Sequence, residues 1–358
     1  IATGAHFSPE FGNTYNNILN DNIDIAYRVE MQLSSDSRVA VTKSLGLGVI
    51  GFADAYASLE PDVLVLLGDR YEILAAAQAA MIARIPIVHL HGGEACEGLI
   101  DEPVRHAITK MSHFHFVAAD EYKKRVIQLG ENPDTVFNIG PMMQDGFNKE
   151  KLLSKKEIEK EIGFSISEKL FLITYHPVTL SDMKPEEYYT ELFDALDEFP
   201  DYQCIFTMSN TDPSGKIIFD LIESYCSRNK HRAIAFTSLG SCKYYSLLRL
   251  ATAVVGNSSS GLLEAPYFRT ATVNIGDRQR GRLLSSSVLT CGYCKSEIIK
   301  ALKLICISEW RQEHLEKIKI PYGVGKPAQE ICQFLETVEL DNVLMKSFYN
   351  IEVNNGKT

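Results

Sequence analysis

The sequence of residues 250–264 is LATAVVGNSSSGLLE. This stretch contains a strand, a loop and the start of a helix, and the same order of elements is found along most of the chain. The apolar run at 250–255 is typical of a strand buried on both faces of a parallel sheet. A polar loop follows at 256–260 and opens a predicted helix. Its backbone N–H groups and hydroxyl groups would gather at a helix N-terminus, where anions are stabilised. Two interpretations stay open here: a diphosphate-binding loop, or an ordinary helix cap of the kind that Gly, Asn and Ser form well.

The same alternation of strand and helix extends over most of the chain. Strands are predicted at 62–67, 85–90, 114–118 and 136–139, and then at 170–174, 203–207, 233–236, 251–255 and 271–275. Helices are predicted between them, including 37–59, 120–129 and 328–338. This alternation predicts parallel sheets with right-handed crossovers. We therefore expect an α/β fold with two Rossmann-like domains whose strand ends face a central cleft.

The domain boundaries follow from a break in the pattern at 141–154, which is interpreted as a polar linker. We expect an N-terminal domain at 1–150, a C-terminal domain at 151–340 and a polar tail at 341–358. The first four residues are typical of the end of a buried strand. The segment that normally begins this strand is therefore expected to be missing before Ile1.

Composition narrows the functional class. The chain has 358 residues, of which 45% are hydrophobic and 23% charged, as in soluble globular proteins. Its formal net charge of -10 argues against nucleic-acid binding. The sequence shows neither a signal peptide nor an apolar run near the roughly 20 residues that span a bilayer, so a cytoplasmic protein without a membrane partner is expected. The eight cysteines are scattered, and Cys291 and Cys294 form a single CxxC pair, so neither a disulfide framework nor a zinc site is expected.

Acidic residues follow the predicted strands of the N-terminal domain. Asp69, Glu94 and Asp101 are placed near strand ends, where parallel sheets collect ligands. Desolvation in a closing site raises a carboxyl pKa toward the range used in general acid-base catalysis. A structural alternative exists for Asp101, which is placed to cap a helix or to pair with Arg105 four residues later.

The His89-Leu90-His91 sequence has two interpretations. Residues two apart on a strand face the same side, so the imidazoles of His89 and His91 would meet and bind a metal with Glu94, Cys96 and His106. Alternatively, His89 is buried and hydrogen-bonded to the backbone.

Three features in the C-terminal domain point to a phosphate-containing ligand. His176 follows the first strand of that domain and is placed either to protonate a leaving phosphate or simply in a surface loop. Arg278, Arg280 and Arg282 follow the strand after the serine loop, and guanidinium groups suit phosphate oxygens. Glu264 is interpreted either as an acceptor for a ribose diol or as an ordinary exposed glutamate.

Together these motifs resemble the hydrolysing UDP-N-acetylglucosamine 2-epimerases of sialic acid biosynthesis, and the resemblance covers nearly the whole chain. The matching motifs are Thr3-Gly4, Ser8 to Gly12, Gly68-Asp69-Arg70, His91-Gly92-Gly93-Glu94, Asp101 with Arg105-His106, Tyr175 to Thr179, Gly256 to Ser259 and Gly276 to Arg282.

The resemblance implies a glycosyltransferase-B type fold that binds the nucleotide on its second domain. It also implies a reaction without metal or cofactor, in which UDP is eliminated from C1 as the C2 proton leaves. Water then adds to the resulting glycal with inversion at C2 and releases N-acetylmannosamine. A homo-oligomer, either a dimer or a tetramer, is expected.

Residue roles are carried over by position. Asp69 and Asp101 match acid-base residues, and His176 matches the histidine near the departing diphosphate. Some relatives have glutamate at the position of His91, so either Glu94 or His91 is expected to serve as the base there. The residues expected to bind substrate or UDP are Arg70, Arg105, His106, Asn257, Ser258, Ser259, Glu264, Arg278 and Arg282. The family also begins with a strand and a Gly-Thr-Arg loop, and a molecule without them is expected to have little activity.

Other functions stay open from the sequence. The same reaction on UDP-2,4-diacetamido-2,4,6-trideoxyhexose, for legionaminic acid, is the main alternative. A retaining glycosyltransferase, a non-hydrolysing epimerase, a metallohydrolase using His89, His91 and Glu94, and a non-catalytic UDP-sugar sensor are the others.

Overall fold

The computed structural model describes residues 1–9, 12–35, 37–97, 99–149, 151–177, 183–208, 215–323 and 325–352. The chain divides into two compact units. Unit 1 contains Ile1–Glu94, Ile100–Gln144 and Tyr322–Thr358, and unit 2 contains Ala95–Leu99 and Asp145–Pro321. In the part of the chain that the structure describes, no helix is both long and apolar enough to span a membrane.

Unit 1 is built on a parallel sheet with helices between its strands. Its strands are β1 (Ala2–Thr3), β2 (Arg28–Val29), β3 (Leu64–Leu67), β4 (Ile87–Leu90), β5 (Phe114–Val117) and β6 (Val136–Asn138). Its helices are α1 (Tyr15–Asn20), α2 (Arg38–Leu59), α3 (Tyr71–Ala83), α4 (Asp101–Met111) and α5 (Asp120–Gln128). The sheet has the order β3-β4-β5-β6, while β1 and β2 form a separate parallel pair. Strands β4 and β5 are buried along their whole length, although each contains one histidine, His89 and His115 respectively.

Helix α6 (Met143–Lys149) lies where the sequence suggested a polar linker, so that prediction is wrong for these residues. The reason is aromatic packing. The ring of Phe147 lies 5.0 to 5.5 Å, centroid to centroid, from the rings of Tyr245, Tyr267 and Phe268. The sequence around Phe147 is polar, and its partners are about a hundred residues away, so a local pattern does not reveal this helix.

Unit 2 contains a six-stranded parallel sheet. Its strands are β7 (Leu170–Thr174), β8 (Gln203–Thr207), β9 (Ala233–Phe236), β10 (Ala253–Gly256), β11 (Ala271–Ile275) and β12 (Val288–Cys291), in the order β12-β11-β10-β7-β8-β9. Its helices are α7 (Lys155–Ile162), α8 (Pro185–Leu196), α9 (Gly215–Arg228), α10 (Gly240–Leu250), α11 (Ser260–Leu263), α12 (Lys295–Ile305) and α13 (Ser308–Arg311). Two apolar clusters cover the sheet. One contains Leu192 and Leu302, and the other contains Ile158 and Leu248. The α/β class with two Rossmann-like units is confirmed, and edge strand β12 is an addition that the sequence did not predict.

The C-terminal helix α14 (Pro327–Thr337) belongs to unit 1 and not to the predicted C-terminal domain at 151–340. Its Phe334 ring lies 4.8 to 5.3 Å from the rings of Phe114, Phe116 and Phe137. This aromatic contact explains why the chain returns to unit 1, whereas the predicted boundary assumed that each domain is continuous in sequence.

The predicted polar tail also packs on unit 1 over its described part. The Lys346 ammonium lies 2.7 Å from a carboxylate oxygen of buried Glu131, which also contacts His115 and Lys110. The Tyr349 N–H donates to the Gly130 carbonyl oxygen at 2.9 Å. A buried carboxylate requires charged or polar partners, and the tail provides one of them.

Candidate active site

Arg105 organises the acidic residues of unit 1. Its side chain is fully buried on α4, and its Nε donates to Asp69 Oδ2 at 2.8 Å while Nη2 donates to the same oxygen. Its Nη1 donates at 2.8 Å both to Glu102 Oε2 and to the Glu94 carbonyl oxygen. One guanidinium therefore joins the segments that follow β3 and β4 to the start of α4. Breaking such a buried pair leaves an uncompensated charge, so Arg105 fixes the position of Asp69.

The loop after β4 brings His91 and Glu94 together. His91 Nδ1 lies 2.7 Å from Glu94 Oε1, and the Met142 N–H donates to His91 Nε2 at 3.1 Å. The Glu94 side chain is only 4% exposed. This pair places a carboxyl group, oriented by an imidazole, at the carboxyl end of the sheet next to the residues bound by Arg105.

Asp101 is the first residue of α4, and the capping residue is Ile100, so the helix-cap interpretation of Asp101 is wrong. Its half-buried side chain shares the first turn with Glu102, whose Oε1 lies 3.0 Å from His106 Nε2. Asp101, Arg105 and His106 therefore lie within the first two turns of α4. Arg70 follows Asp69 in the chain, and its Nε donates to Glu72 Oε2 at 3.2 Å.

His89 has a structural role, as the second interpretation of the His89-Leu90-His91 sequence proposed. It is fully buried, with Nε2 2.9 Å from the Gly68 carbonyl oxygen and Nδ1 3.1 Å from Thr109 Oγ1. Burial lowers the pKa of His89 to about 4, so the ring is neutral. Strand β4 ends at Leu90 and His91 has a left-handed backbone, so the alternation argument does not extend to His91. Among the described residues, no group of three His, Cys, Asp or Glu side chains is placed to hold a metal ion.

Unit 2 has a cavity of about 380 Å³ at the carboxyl ends of its strands. It brings together five of the residues predicted from the sequence, namely His176, Ser258, Ser259, Glu264 and Arg278. Hydroxyl groups, one imidazole and one guanidinium are the groups that bind phosphate oxygens, and a carboxylate suits a sugar diol. The cavity is therefore chemically suited to a nucleoside diphosphate.

Asn257 connects the loops around this cavity but does not line it. Its Oδ1 accepts from the His176 N–H at 2.7 Å, and its Nδ2 donates to the His176 carbonyl oxygen at 2.8 Å. The Asn257 carbonyl oxygen accepts from Arg278 Nη1 at 3.1 Å and from Gln279 Nε2 at 2.7 Å. Gly256 precedes it at φ 129°, where an added Cβ would lie 2.1 Å from the Thr174 carbonyl oxygen, so only glycine fits. Asn257 is thus predicted to position His176 and Arg278.

The helix that begins after the serine loop is shorter than the sequence suggested. Helix α11 has four residues, and a 3-10 turn at Ala265–Phe268 replaces its continuation. Pro266 lacks the N–H that an α-helix would need there. A single turn has little macrodipole, so the hydroxyl groups and Arg278 are the main candidates for binding an anion.

Glu264 is held by a network that the sequence did not indicate. Ser260 Oγ donates to Glu264 Oε2, and Tyr245 OH donates to Oε1 at 3.3 Å. The Tyr244 hydroxyl lies 2.6 Å from Ser260 Oγ. Burial raises the pKa of Glu264, although these two hydrogen bonds oppose the effect. The tyrosines lie on α10 with no distinctive spacing, so only the fold shows that they meet Glu264.

Comparison with known proteins identifies the family. Residues 1–336 match the sequence model for UDP-N-acetylglucosamine 2-epimerase. The chain belongs to the UDP-N-acetylglucosamine 2-epimerase family. It is 41% identical to the GDP/UDP-N,N'-diacetylbacillosamine 2-epimerase (hydrolyzing) of Campylobacter jejuni over 98% of this chain and 91% of that one. It is also 37% identical to polysialic acid biosynthesis protein P7 of Escherichia coli, over 84% of this chain and 77% of that one.

Solved structures of this family show the same fold. A UDP-GlcNAc 2-epimerase from Neisseria meningitidis, bound to UDP-GlcNAc, superposes with a TM-score of 0.75 over 93% of this chain and 90% of that chain. Their sequences are 20% identical, so this likeness concerns the fold.

In this member of the epimerase family, the predicted site residues are divided between the two units. Unit 1 holds Asp69, Arg70, His91, Glu94, Asp101, Arg105 and His106, and unit 2 holds His176, Asn257, Ser258, Ser259, Glu264, Arg278 and Arg282. Arg282 is half-buried and is not among the residues that line the unit 2 cavity. Arg280 is exposed and pairs with Glu97 at 2.9 Å. The resemblance had suggested Arg282 for nucleotide binding, and this assignment stays a prediction.

Proposed function

We propose that the protein is a hydrolysing 2-epimerase that acts on a UDP-linked 2-acetamido sugar. The observation that carries this proposal is the acidic cluster of unit 1, in which Arg105 holds Asp69 and the Glu94 backbone in fixed positions. Family membership adds support, since the Campylobacter jejuni relative has the same type of reaction in its name.

The proposed reaction is a sequence of proton transfers around a carbon-oxygen cleavage. A carboxylate of unit 1 accepts the C2 proton, the C2–H electron pair forms the C1=C2 bond, and the C1–O bond breaks to release UDP. Water then adds its oxygen to C1 and gives up a proton to a carboxylate, while a carboxyl group delivers a proton to the opposite face of C2. Asp69, Glu94 and Asp101 are the groups proposed for these transfers.

The leaving diphosphate needs its charge stabilised as the bond breaks. We assign this role to Ser258, Ser259 and Arg278, which line the unit 2 cavity together with His176. His176 is proposed to donate a hydrogen bond or a proton to the departing phosphate. Glu264 is proposed to accept hydrogen bonds from the ribose hydroxyl groups.

Two substrates are candidates, and they differ at C4 and C6 of the sugar. UDP-N,N'-diacetylbacillosamine is favoured by the relative that is 41% identical over 98% of this chain. UDP-N-acetylglucosamine, which would give N-acetylmannosamine for sialic acid synthesis, is favoured by the relative from polysialic acid synthesis.

The proposal is tested by incubating the purified protein separately with each UDP-sugar in deuterated water and following the products by NMR. We expect UDP and a free 2-epimerised sugar that carries deuterium at C2. A UDP-linked epimer would indicate a non-hydrolysing enzyme, and turnover only with an added acceptor would indicate a glycosyltransferase. Binding without turnover of either substrate would contradict the proposed function.

We also propose that the protein forms a homo-oligomer through an apolar face on α2 and α3. Ile50 is 64% exposed and Ile82 is 78% exposed, and a cavity of about 960 Å³ beside these helices is lined mostly by apolar residues, including Val49, Ala53 and Met81. Exposed apolar patches of this kind mark interaction sites, and an isologous dimer covers one with a second copy of itself. Light scattering of the purified protein tests this, and a monomer at micromolar concentration would contradict it.

A further inference from the structure

The backbone conformation and the ring orientation of His91 are both constrained. Its φ is 66°, a left-handed conformation that is costly for a residue with a side chain. The ring is largely buried, with 14% of the side chain exposed, and each ring nitrogen has a partner. A residue kept in a strained conformation with both nitrogens engaged is fixed in one orientation.

The partners of the ring define which nitrogen carries the proton. The Met142 backbone N–H can only donate, so His91 Nε2, 3.1 Å away, must be the unprotonated acceptor. The ring proton is then on Nδ1, which lies 2.7 Å from Glu94 Oε1 and donates to it. Turning the ring over would put carbon atoms in both places and lose both hydrogen bonds. If Nε2 were protonated, its N–H would face the Met142 N–H, and two donors would meet without an acceptor.

We propose that His91 is a positioning residue that orients Glu94, and that Glu94, not His91, exchanges the proton with the substrate. This inference rests on the proposed function. Glu94 is held twice, because Arg105 binds its carbonyl oxygen at 2.8 Å and His91 binds its carboxylate. In the proposed elimination, the C2 proton passes to the Glu94 carboxylate as UDP leaves, and His91 keeps its Nδ1 proton throughout. A neutral donor orients the carboxylate without placing a positive charge beside it.

The tautomer is measured without any substrate. In protein labelled with ¹⁵N-histidine, long-range ¹H–¹⁵N correlation spectra distinguish the two neutral tautomers and the imidazolium form, and His91→Asn assigns the signal by its loss. We expect His91 as the neutral Nδ1–H tautomer at pH 7.5. The Nε2–H tautomer, or an imidazolium ring, would overturn the inference even if the protein turned over no UDP-sugar.

A matched pair of variants tests the role of His91 in turnover. Asparagine tolerates a left-handed backbone, and its amide can donate to Glu94 from the place of Nδ1. Aspartate has nearly the same shape but puts a second carboxylate against Glu94. We expect His91→Asn to lose no more than about 10-fold in kcat and His91→Asp to lose about 100-fold or more. Glu94→Gln is expected to abolish turnover.

A role of His91 as the catalytic base predicts a different result. If His91 itself is the base, His91→Asn will be as inactive as His91→Asp while both variants melt like wild type and bind UDP normally. UDP affinity is the control because the cavity assigned to the nucleotide lies within unit 2. Absence of turnover by wild type with either UDP-sugar would instead count against the proposed function, and the tautomer measurement would still decide the assignment of His91.

Discussion

Replacing Glu264 by glutamine is expected to weaken nucleotide binding while leaving the free protein as stable as before or more stable. The Glu264 carboxyl lines the unit 2 cavity and accepts from Tyr245 and Ser260. A hydrogen bond to a charged group contributes about 1.5–3 kcal/mol. Since about 1.4 kcal/mol corresponds to a factor of ten, Glu264→Gln should raise the Kd for UDP roughly 10- to 150-fold if the carboxylate binds the ribose.

The effect on stability has the opposite sign. Burial raises the pKa of Glu264 above its ordinary value of 4.5. A carboxyl whose pKa is raised by folding contributes most to the free energy of unfolding at pH values below its unfolded-state pKa. This contribution is lost as the pH rises through the folded-state pKa. As pH rises above 4.5, the wild-type protein progressively loses this contribution to its free energy of unfolding, whereas glutamine does not titrate. The free variant should therefore melt at the same temperature as wild type or higher, and the difference should grow from pH 5 to pH 8.

Titration calorimetry with UDP and 2′-deoxy-UDP isolates the ribose contact. Wild type should prefer UDP, and Glu264→Gln should lose most of that preference. Glu223→Gln, a change at an exposed residue of α9, is the matched control and should alter neither binding nor melting. A Glu264→Gln variant that still preferred UDP as strongly as wild type would refute the ribose contact, and a variant that melted well below wild type at pH 8 would refute the burial argument.

Four other predictions concern separate parts of the molecule. Asp101→Asn should lower kcat at least about 100-fold, the usual size of general acid-base catalysis, and UDP affinity should not change; loss of UDP binding would show that Asp101 has a different role. Changing Ser258 and Ser259 together to alanine should mainly weaken UDP binding in calorimetry, and a loss confined to kcat would contradict the diphosphate assignment. Burial alone would raise the Glu131 pKa, but hydrogen bonds from His115, Lys110 and Lys346 lower this pKa to about 2. The contribution of Glu131 to the free energy of unfolding is therefore present above pH 4.5 and is lost as the pH falls toward 2. Glu131→Gln should therefore destabilise the protein at pH 7 more than at pH 2.5 in circular dichroism melts, and equal losses at both pH values would count against this. If the proposed oligomer forms, Ile82→Glu should shift it toward monomer in light scattering, and an unchanged mass would contradict a role for α3 in the proposed interface.

Much of the fold follows from local sequence. Mostly apolar runs predicted β7, β8, β9 and β11 with the bounds that the structure has, because a strand covered on both faces tolerates few polar residues. The Gly-Asn-Ser loop at the end of β10 was also recognisable, because Gly, Asn and Ser are the residue types that form loops and helix caps. These features depend on neighbours in the chain or on burial, and periodicity reports both.

Tertiary structure decided which distant groups pair. Nothing near Arg105 in the sequence shows that its guanidinium binds Asp69 and the Glu94 backbone, and nothing near Phe334 shows that its helix packs on the strands of unit 1. The proton position on His91 likewise depends on the amide of Met142, 51 residues away. The physical reason is that a buried polar or aromatic group must find a partner, and several segments offer one. Only the folded chain selects among them, so the sequence determined the elements and the residue types of the candidate site, while the structure determined how those residues are held.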